Sequence, residues 1–195
     1  GLLSDVEYKK CVDSIRNLYL WFSPGSTDEA IRQRLCGNPD NHLDTIIDAS
    51  GECAGFSVHR TECFAGQKVM FRAGTVVGHR SQGLYKQFLR SGVELMQPHF
   101  LTAMTQNPRV YETMRSFSPC GRAYPSPEEV PSDEIQQIAQ RFCKAPGLVP
   151  ASMHVPEVYA SIRKDESFKT SRDPAVAQMF ATLQENDAFF VVVPL

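Results

Sequence analysis

The chain has 195 residues, of which 42% are hydrophobic and 22% charged, and its formal net charge is -2 at pH 7. These values are ordinary for a globular protein, and the length suits one well-filled core, so we expect one domain. The near-neutral charge gives no general reason to expect a nucleic acid or an anionic membrane as partner, and the apolar run AFFVVVPL is too short to cross a bilayer. Any anion site must therefore be local.

The six cysteines, at positions 11, 36, 53, 63, 120 and 143, have no paired spacing. This usage fits reduced thiols better than a disulfide framework, and no secretory signal is visible, so we expect a cytoplasmic protein. The only metal-like set is Cys53, His59 and Cys63. On one extended strand Cys53 and His59 would lie roughly 20 Å apart at about 3.3 Å per residue, too far to share a zinc ion, so no metal is expected.

Two helices are predicted at the start of the chain. Apolar residues recur at spacings of three and four between Ser4 and Phe22, the pattern of an amphipathic helix. Ser26 with Glu29 has the spacing of a capping box and predicts a second helix that ends at Gly37.

The pattern then changes to alternation with a period of two. Strands are predicted over residues 43–49, 54–58 and 69–77, joined by short turns into an antiparallel meander. Gly74 falls inside the third strand, where a glycine often marks a bulge or the close approach of a ligand or another backbone.

The stretch VVGHRSQGLYKQFL, residues 76–89, connects this strand to a predicted helix over 84–96. Gly78 and Gly83 have the spacing of a P-loop, but Leu84 and Tyr85 stand where its Lys and Ser/Thr should be, which removes the groups that triphosphate chemistry needs. The dinucleotide fingerprint also fails because its middle glycine is missing. Unpaired amides at a helix start suit a pyrophosphate; the alternative is a tight turn without a ligand.

The next segments suggest a crossover connection. A buried strand is predicted over 100–105, and Asn107-Pro108 predicts a helix with an Asn cap that extends to about Phe117. The strands over 69–77 and 100–105 should then be parallel neighbours with the helix between them as the crossover. Further on, helices are predicted over 132–143 and 173–185 and a strand over 188–193, whereas 144–170 has no clear pattern.

The loop resembles the acetyl-coenzyme A signature of the GNAT superfamily of N-acetyltransferases, Q/R-x-x-G-x-G/A. Arg80, Gly83 and Tyr85 take its fixed positions, although Tyr85 replaces the final Gly/Ala. The order of elements is that of the GNAT core, and TQNPRVYETMRSF is similar to the segment after the family's fifth strand. The motif resemblance covers residues 68–117, the element order extends it back to 26, and 118–187 match no part of the family pattern.

The resemblance implies an α+β, GNAT-like fold: a central mixed, largely antiparallel sheet with flanking helices. One domain would span residues 1–195, with a core over about 26–117 and an atypical C-terminal section over 118–195 that ends in a strand. It implies acetyl-CoA as cosubstrate, without a metal. The residues implied to bind this cofactor are Val76, Val77, Gly78, Arg80, Ser81, Gln82, Gly83, Leu84, Tyr85 and Asn107.

In this family the amine attacks the thioester directly, so the enzyme must provide a neutral amine and a proton for the departing thiolate. The family's strand glutamate has no counterpart, because KVMFRAGTVV contains no acid. Glu62 is the nearest carboxylate and the candidate base; the alternative is a solvated turn residue. Tyr111 is the candidate acid by resemblance; its alternative is core packing.

The sequence thus favours an N-acetyltransferase that moves acetyl from acetyl-CoA to a primary amine in a ternary complex. The alternative is a non-catalytic module of GNAT fold that binds acyl-CoA or a partner protein, which the missing strand acid and the atypical C-terminal section suggest. No pattern indicates a particular acceptor amine, an acyl chain length or an oligomeric state.

Overall fold

A computed structural model describes residues 5–23, 25–78, 83–143, 145–158 and 171–195. Helices and strands alternate irregularly along these ranges. In chain order they are α1 (Asp5–Phe22), α2 (Asp28–Cys36), β1 (His42–Ile47), β2 (Cys53–Phe64), β3 (Gln67–Val77), α3 (Leu84–Met96), β4 (Phe100–Thr105), α4 (Pro108–Arg115), α5 (Asp133–Phe142), β5 (His154–Val155), α6 (Pro174–Ala181) and β6 (Ala188–Pro194).

The strands form one mixed sheet in the order β1-β2-β3-β4-β6-β5. β3 and β4 are parallel, and every other neighbouring pair is antiparallel. The predicted parallel neighbours are thereby confirmed, with α3 as the crossover between them. The sheet also confirms the expected α+β class and the largely antiparallel arrangement.

Helices cover both faces of the sheet, because the side chains of the central strands alternate between two apolar layers. On one face α3, α4 and α6 pack against Met70, Leu101 and Val191. On the other face α5 packs against Val69 and Phe71, while α1 and α2 pack against the end of the sheet formed by β1 and β2. Within the described part of the chain, no helix combines the length and apolar character that a membrane span requires.

The C-terminal section completes the sheet. β6 pairs with β4 over six positions, and all of its residues from Ala188 to Val193 are buried. β5 lies in the stretch for which the sequence predicts nothing; two residues are too short to show an alternating pattern. α6 ends at Ala181 and is shorter than the predicted helix over 173–185.

The predicted capping box at Ser26 is wrong by one residue. The hydroxyl of Thr27 caps α2 and accepts a hydrogen bond from the backbone N–H of Ala30 at 3.2 Å. Ser26 instead donates from its hydroxyl to the hydroxyl of Ser23 at 3.0 Å. Adjacent Ser and Thr residues both suit an N-cap, so the sequence pattern does not distinguish the two positions.

Candidate functional site

β3 and β4 pair over only part of their length and then separate. Their parallel register joins Val69–Arg72 to Phe100–Ala103 and stops there. β3 continues to Val77 and pairs only with β2 over this last part. From residue 73 to 77, the side of β3 that faces β4 therefore has no neighbouring strand among the described residues, and a V-shaped opening lies between the two strands.

A bulge lies where β3 leaves β4. Val58 is paired with Gly74, but the next residue, His59, is paired with Arg72, so Ala73 is the extra residue on β3. A bulge bends its strand and increases its twist, which accounts for the separation of β3 from β4 directly after Arg72. The predicted bulge at Gly74 is thus confirmed to within one residue.

The start of α3 lies directly after Gly83. Gly83 precedes the helix with φ of 71°, and no side chain caps its first turn. A Cβ at Gly83 would have no heavy atom of a described residue within 4 Å. The first N–H groups of a helix and its dipole favour an anion there. Arg80, Ser81 and Gln82, which the sequence assigns to the same loop, lie outside the described residues.

Three further residues that the resemblance implies to bind the cofactor, Val76, Val77 and Gly78, differ in their surroundings. The side chain of Val76 is buried in the core beneath α1 and α2. Val77 is half-buried. Gly78 donates a backbone hydrogen bond to Ala54 at 2.9 Å, and a Cβ on it would lie 3.2 Å from Leu18, so close packing by itself accounts for this glycine.

A cavity of about 300 Å³ lies beside the V-shaped opening, on the face covered by α1 and α2. Two arginines, Arg34 and Arg72, line it, and no carboxylate does so among the residues that the structure describes. Val158, at the end of a described stretch of the C-terminal section, forms part of one wall. The other lining residues are Tyr19, Leu35, Phe56, Val58, Phe71, Ala73, Gly74, Thr75, Val76 and Met104.

Contacts hold both arginines against the separating strands. Arg34 donates from Nη2 to the carbonyl of Ala73 at 3.3 Å, and Arg72 donates from Nη2 to the carbonyl of Met104 at 3.1 Å. The Cζ atom of Arg72 also lies 5.5 Å from the centre of the Tyr85 ring. Tyr85 therefore directs its ring toward the sheet, and Leu84 beside it is half-buried.

The structure does not bring Glu62 to this cavity. Glu62 is paired with Val69 near the turn between β2 and β3, on the far side of Arg72 from the opening. Its carboxylate forms ion pairs of 3.8 Å with Arg60 and 3.9 Å with Arg141. These contacts fit the alternative of a surface residue in a charge network, and its role as the base stays a prediction.

Tyr111 is fully buried in α4, where its ring packs edge-on against Phe180. Its hydroxyl donates to the carbonyls of Ala123 at 3.1 Å and Pro125 at 2.8 Å. Burial raises the pKa of Tyr111 to about 12, although Arg115 opposes this shift. These are the contacts of a core tyrosine, and the acid role stays a prediction.

Asn107 is the N-cap of α4, as expected. Its Oδ1 accepts a hydrogen bond from the backbone N–H of Arg109 at 2.9 Å, and its own N–H donates to the hydroxyl of Thr105 at 3.0 Å. The cap holds α4 at the end of β4, next to the opening. A cofactor contact from Asn107 stays a prediction.

Residues far from β3 in the sequence also line the cavity, and the sequence pattern did not identify them as candidates. Arg34 is in α2, Met104 in β4 and Val158 in the C-terminal section, so only the fold brings them together. Arg72 had a visible signal, since it is a charged residue within the otherwise apolar core of KVMFRAG. Among the described residues, no three His, Cys, Asp or Glu side chains are grouped as metal ligands.

No protein-family model and no curated protein matches this sequence. Solved structures do match. A crystal structure of the NatC complex bound to Gag peptide and CoA aligns with 98% of this chain and 95% of its own, at 13% identity and a TM-score of 0.51. A phosphinothricin N-acetyltransferase described as putative aligns with 60% of this chain and 79% of its own, at 16% identity and a TM-score of 0.45.

A GNAT family acetyltransferase from Staphylococcus aureus subsp. aureus USA300_TCH1516 aligns with 50% of this chain and 76% of its own, at 17% identity and a TM-score of 0.40. At such identities these likenesses concern the fold. The alignment to the NatC structure extends over nearly the whole chain. It includes the C-terminal section, most of which matches no part of the family's sequence pattern.

Proposed function

The chain has the GNAT acetyltransferase fold, and on this premise we propose that it transfers acetyl from acetyl-CoA to a primary amine by direct attack in a ternary complex. The observation that carries the proposal is the free edge of β3, which leads from the amides at the start of α3 to the apex of the V at Arg72. A ligand with an anionic group at one end, amide groups along its middle and a reactive group at the other end fits such a path.

Each part of acetyl-CoA has a counterpart along this path. The pyrophosphate would accept hydrogen bonds from the first amides of α3, beside Gly83, where no side chain of a described residue lies close to the glycine. The pantetheine amides would pair with the backbone of β3 over residues 73–77, as a strand pairs with an exposed sheet edge. From Val77 to Arg72 this edge extends about 17 Å at about 3.3 Å per residue, so the thioester would reach the apex.

The cavity beside the apex would hold the acceptor. An alkylamine of pKa about 10.4 is neutral only about once in 2,500 molecules at pH 7, and the enzyme must offset this deficit. Arg34 disfavours an ammonium ion in the cavity because a like charge lowers the pKa of a bound amine. The apolar wall formed by Tyr19, Phe56 and Phe71 adds desolvation, which acts in the same direction.

The NatC neighbour is consistent with such a pair of ligands. That structure holds a peptide and CoA together, and it shares its fold with almost the full length of this chain. The likeness supports a site that holds CoA and an amine-bearing partner at once.

Calorimetry and a thiol-release assay together test the proposal. Purified protein is titrated with acetyl-CoA, and CoA thiol release is then followed across a panel of small amines, amino acids and short peptides with free N-termini. We expect binding and amine-dependent release. Binding without release from any acceptor would favour the non-catalytic module, and the absence of heat with folded protein would exclude both.

A further inference from the structure

Arg72 occupies the one position on β3 where pairing with β4 ends and the cavity begins. It is the last residue of β3 in register with β4, opposite Ala103, and it also lines the cavity. If acetyl-CoA lies along the free edge of β3, its sulfur and carbonyl reach this position. The guanidinium is therefore the cationic group of β3 that is nearest to the reacting atoms.

No carboxylate of the described residues pairs with the charge of Arg72. Among the described residues, none of the ion pairs within 4.0 Å includes this side chain. Its Nε atom is buried and has no hydrogen-bond acceptor. Its partner across the sheet is His59, a fully buried imidazole whose pKa is lowered to about 4 by burial first and by Arg72 second. A neutral imidazole leaves the positive charge uncompensated.

Two contacts hold the guanidinium in place. Nη2 is fixed by the carbonyl of Met104 on the opposite side of the V, and the planar group lies over the ring of Tyr85 in α3. A cation fixed in advance stabilises a developing negative charge without reorganisation at the moment of reaction. Arginine normally pairs with an anion when it is partly buried, so an unpaired one at a ligand path indicates that the ligand supplies the anion.

We propose that Arg72 is a catalytic residue that stabilises the negative charge on the departing CoA thiolate. This inference rests on the proposed function. The nitrogen lone pair of the neutral amine forms the new C–N bond, and the C–S bond breaks with its electron pair passing to sulfur. The surplus proton of the amide nitrogen goes to water. Arg72 keeps its protons throughout, because a guanidinium does not deprotonate in proteins, and it acts through its charge.

This role does not require Tyr111 as a proton donor. The Tyr111 hydroxyl donates to two backbone carbonyls, and its proton is therefore not directed at the V. A departing thiolate needs a proton donor less than a departing alkoxide does. The ordinary pKa of a thiol is about 8.5, and a nearby cation lowers it further. Charge stabilisation at Arg72 then replaces general acid catalysis.

The test measures the pKa of the CoA thiol in its complex with the protein. This measurement does not depend on turnover. Thiolate absorbance in the ultraviolet is followed against pH for CoA bound to the wild-type protein, with the desulfo-CoA complex as blank. We expect the bound thiol to titrate about one pH unit or more below free CoA. Arg72→Gln should abolish this difference, and Arg72→Lys, which keeps the charge, should retain part of it.

Each outcome has a distinct meaning. A bound thiol that titrates like free CoA in the wild-type protein overturns the role of Arg72, with no variant needed, and leaves the proposed function intact. A lowered thiol pKa that survives in folded Arg72→Gln also overturns it. If folded wild-type protein does not bind CoA, the proposed function itself fails and this inference fails with it.

Discussion

His59 in β2 lies directly opposite Arg72 in β3, and both face the layer covered by α3. Gly92 of α3 is close above the imidazole, since a Cβ on it would be 3.5 Å from Cδ2 of His59. The nearest acid is Asp44, whose Oδ2 lies 3.6 Å from Nε2 of His59 and whose other oxygen contacts His42. The ion pair at 3.6 Å is too long for a hydrogen bond and does not offset burial.

This arrangement predicts that stability rises with pH between about 4 and 6.5. Burial holds the pKa of His59 at about 4, below its ordinary value of 6.5, so in this window the unfolded state binds more protons than the folded state. The effect should amount to roughly 3 kcal/mol across the window. Urea unfolding at several pH values measures it. In His59→Gln the rise of the free energy of unfolding with pH should largely disappear. His42→Gln, which removes a more exposed imidazole, should retain this rise.

A pair of substitutions at Gly83 tests the anion site. Because φ is 71°, a β-branched residue there would strain the backbone, whereas Asn and Asp tolerate this conformation. Gly83→Asp should fold at least as stably as Gly83→Asn, because an acid at a helix start is favourable. It should nevertheless bind CoA about fivefold more weakly or worse, since like charges about 4 Å apart repel by about 1 kcal/mol even in water.

Calorimetry with CoA and thermal unfolding of both Gly83 variants supply these two measurements. Equal affinities in the Asn and Asp variants would show that the pyrophosphate does not lie at the start of α3. A lower melting temperature for the Asp variant would contradict the dipole argument.

Tyr111→Phe should lower the free energy of unfolding and have less effect on the rate of the reaction. The substitution leaves the carbonyls of Ala123 and Pro125 without their donor in a buried site, which costs about 1–3 kcal/mol. Tyr124→Phe is the matched control, because that hydroxyl donates to the half-exposed Glu129 and its loss should cost less. Chemical denaturation measures both. If Tyr111→Phe lowers kcat while stability is unchanged, Tyr111 is the acid after all.

Asp187→Asn should loosen the part of the C-terminal section that borders the cavity. Asp187 is buried and accepts hydrogen bonds from His154 at 2.7 Å and from the backbone of Glu157 and Gln184. Burial raises the pKa of Asp187, but these hydrogen bonds outweigh it and the net shift is downward. The carboxylate therefore stabilises the fold above its ordinary pKa, and this contribution is lost in acid as the folded-state group protonates.

We expect Asp187→Asn to lower the free energy of unfolding by about 1–3 kcal/mol, because hydrogen bonds to a charged group are lost. Faster proteolysis within 145–158 should accompany the loss, since Glu157 adjoins the wall residue Val158. Asp40→Asn, at an exposed loop position, is the control and should change neither quantity. An Asp187→Asn protein that resists protease like the wild type would show that other contacts hold this segment.

Several features of the fold were predictable because they depend on short-range chemistry. The Asn107-Pro108 and Asp173-Pro174 pairs cap α4 and α6 as predicted, since side-chain oxygen and fixed proline geometry act within one turn. The strand–helix–strand order from β3 to β4 also implied a parallel pair, because a crossover of that length leaves few other arrangements. The glycine within the third strand indicated the bulge beside it.

The sequence by itself determined the sheet class, the caps of α4 and α6 and the position of the start of α3, because alternation, capping and glycine geometry are properties of neighbouring residues. Only the tertiary structure decided which side chains surround the opening. Glu62 was close to β3 in sequence but register placed it beyond Arg72, and Tyr111 turned its hydroxyl to two carbonyls of the C-terminal section. The cavity draws on α1, α2, β4 and the C-terminal section, and contacts at such separations follow from packing rather than from local pattern.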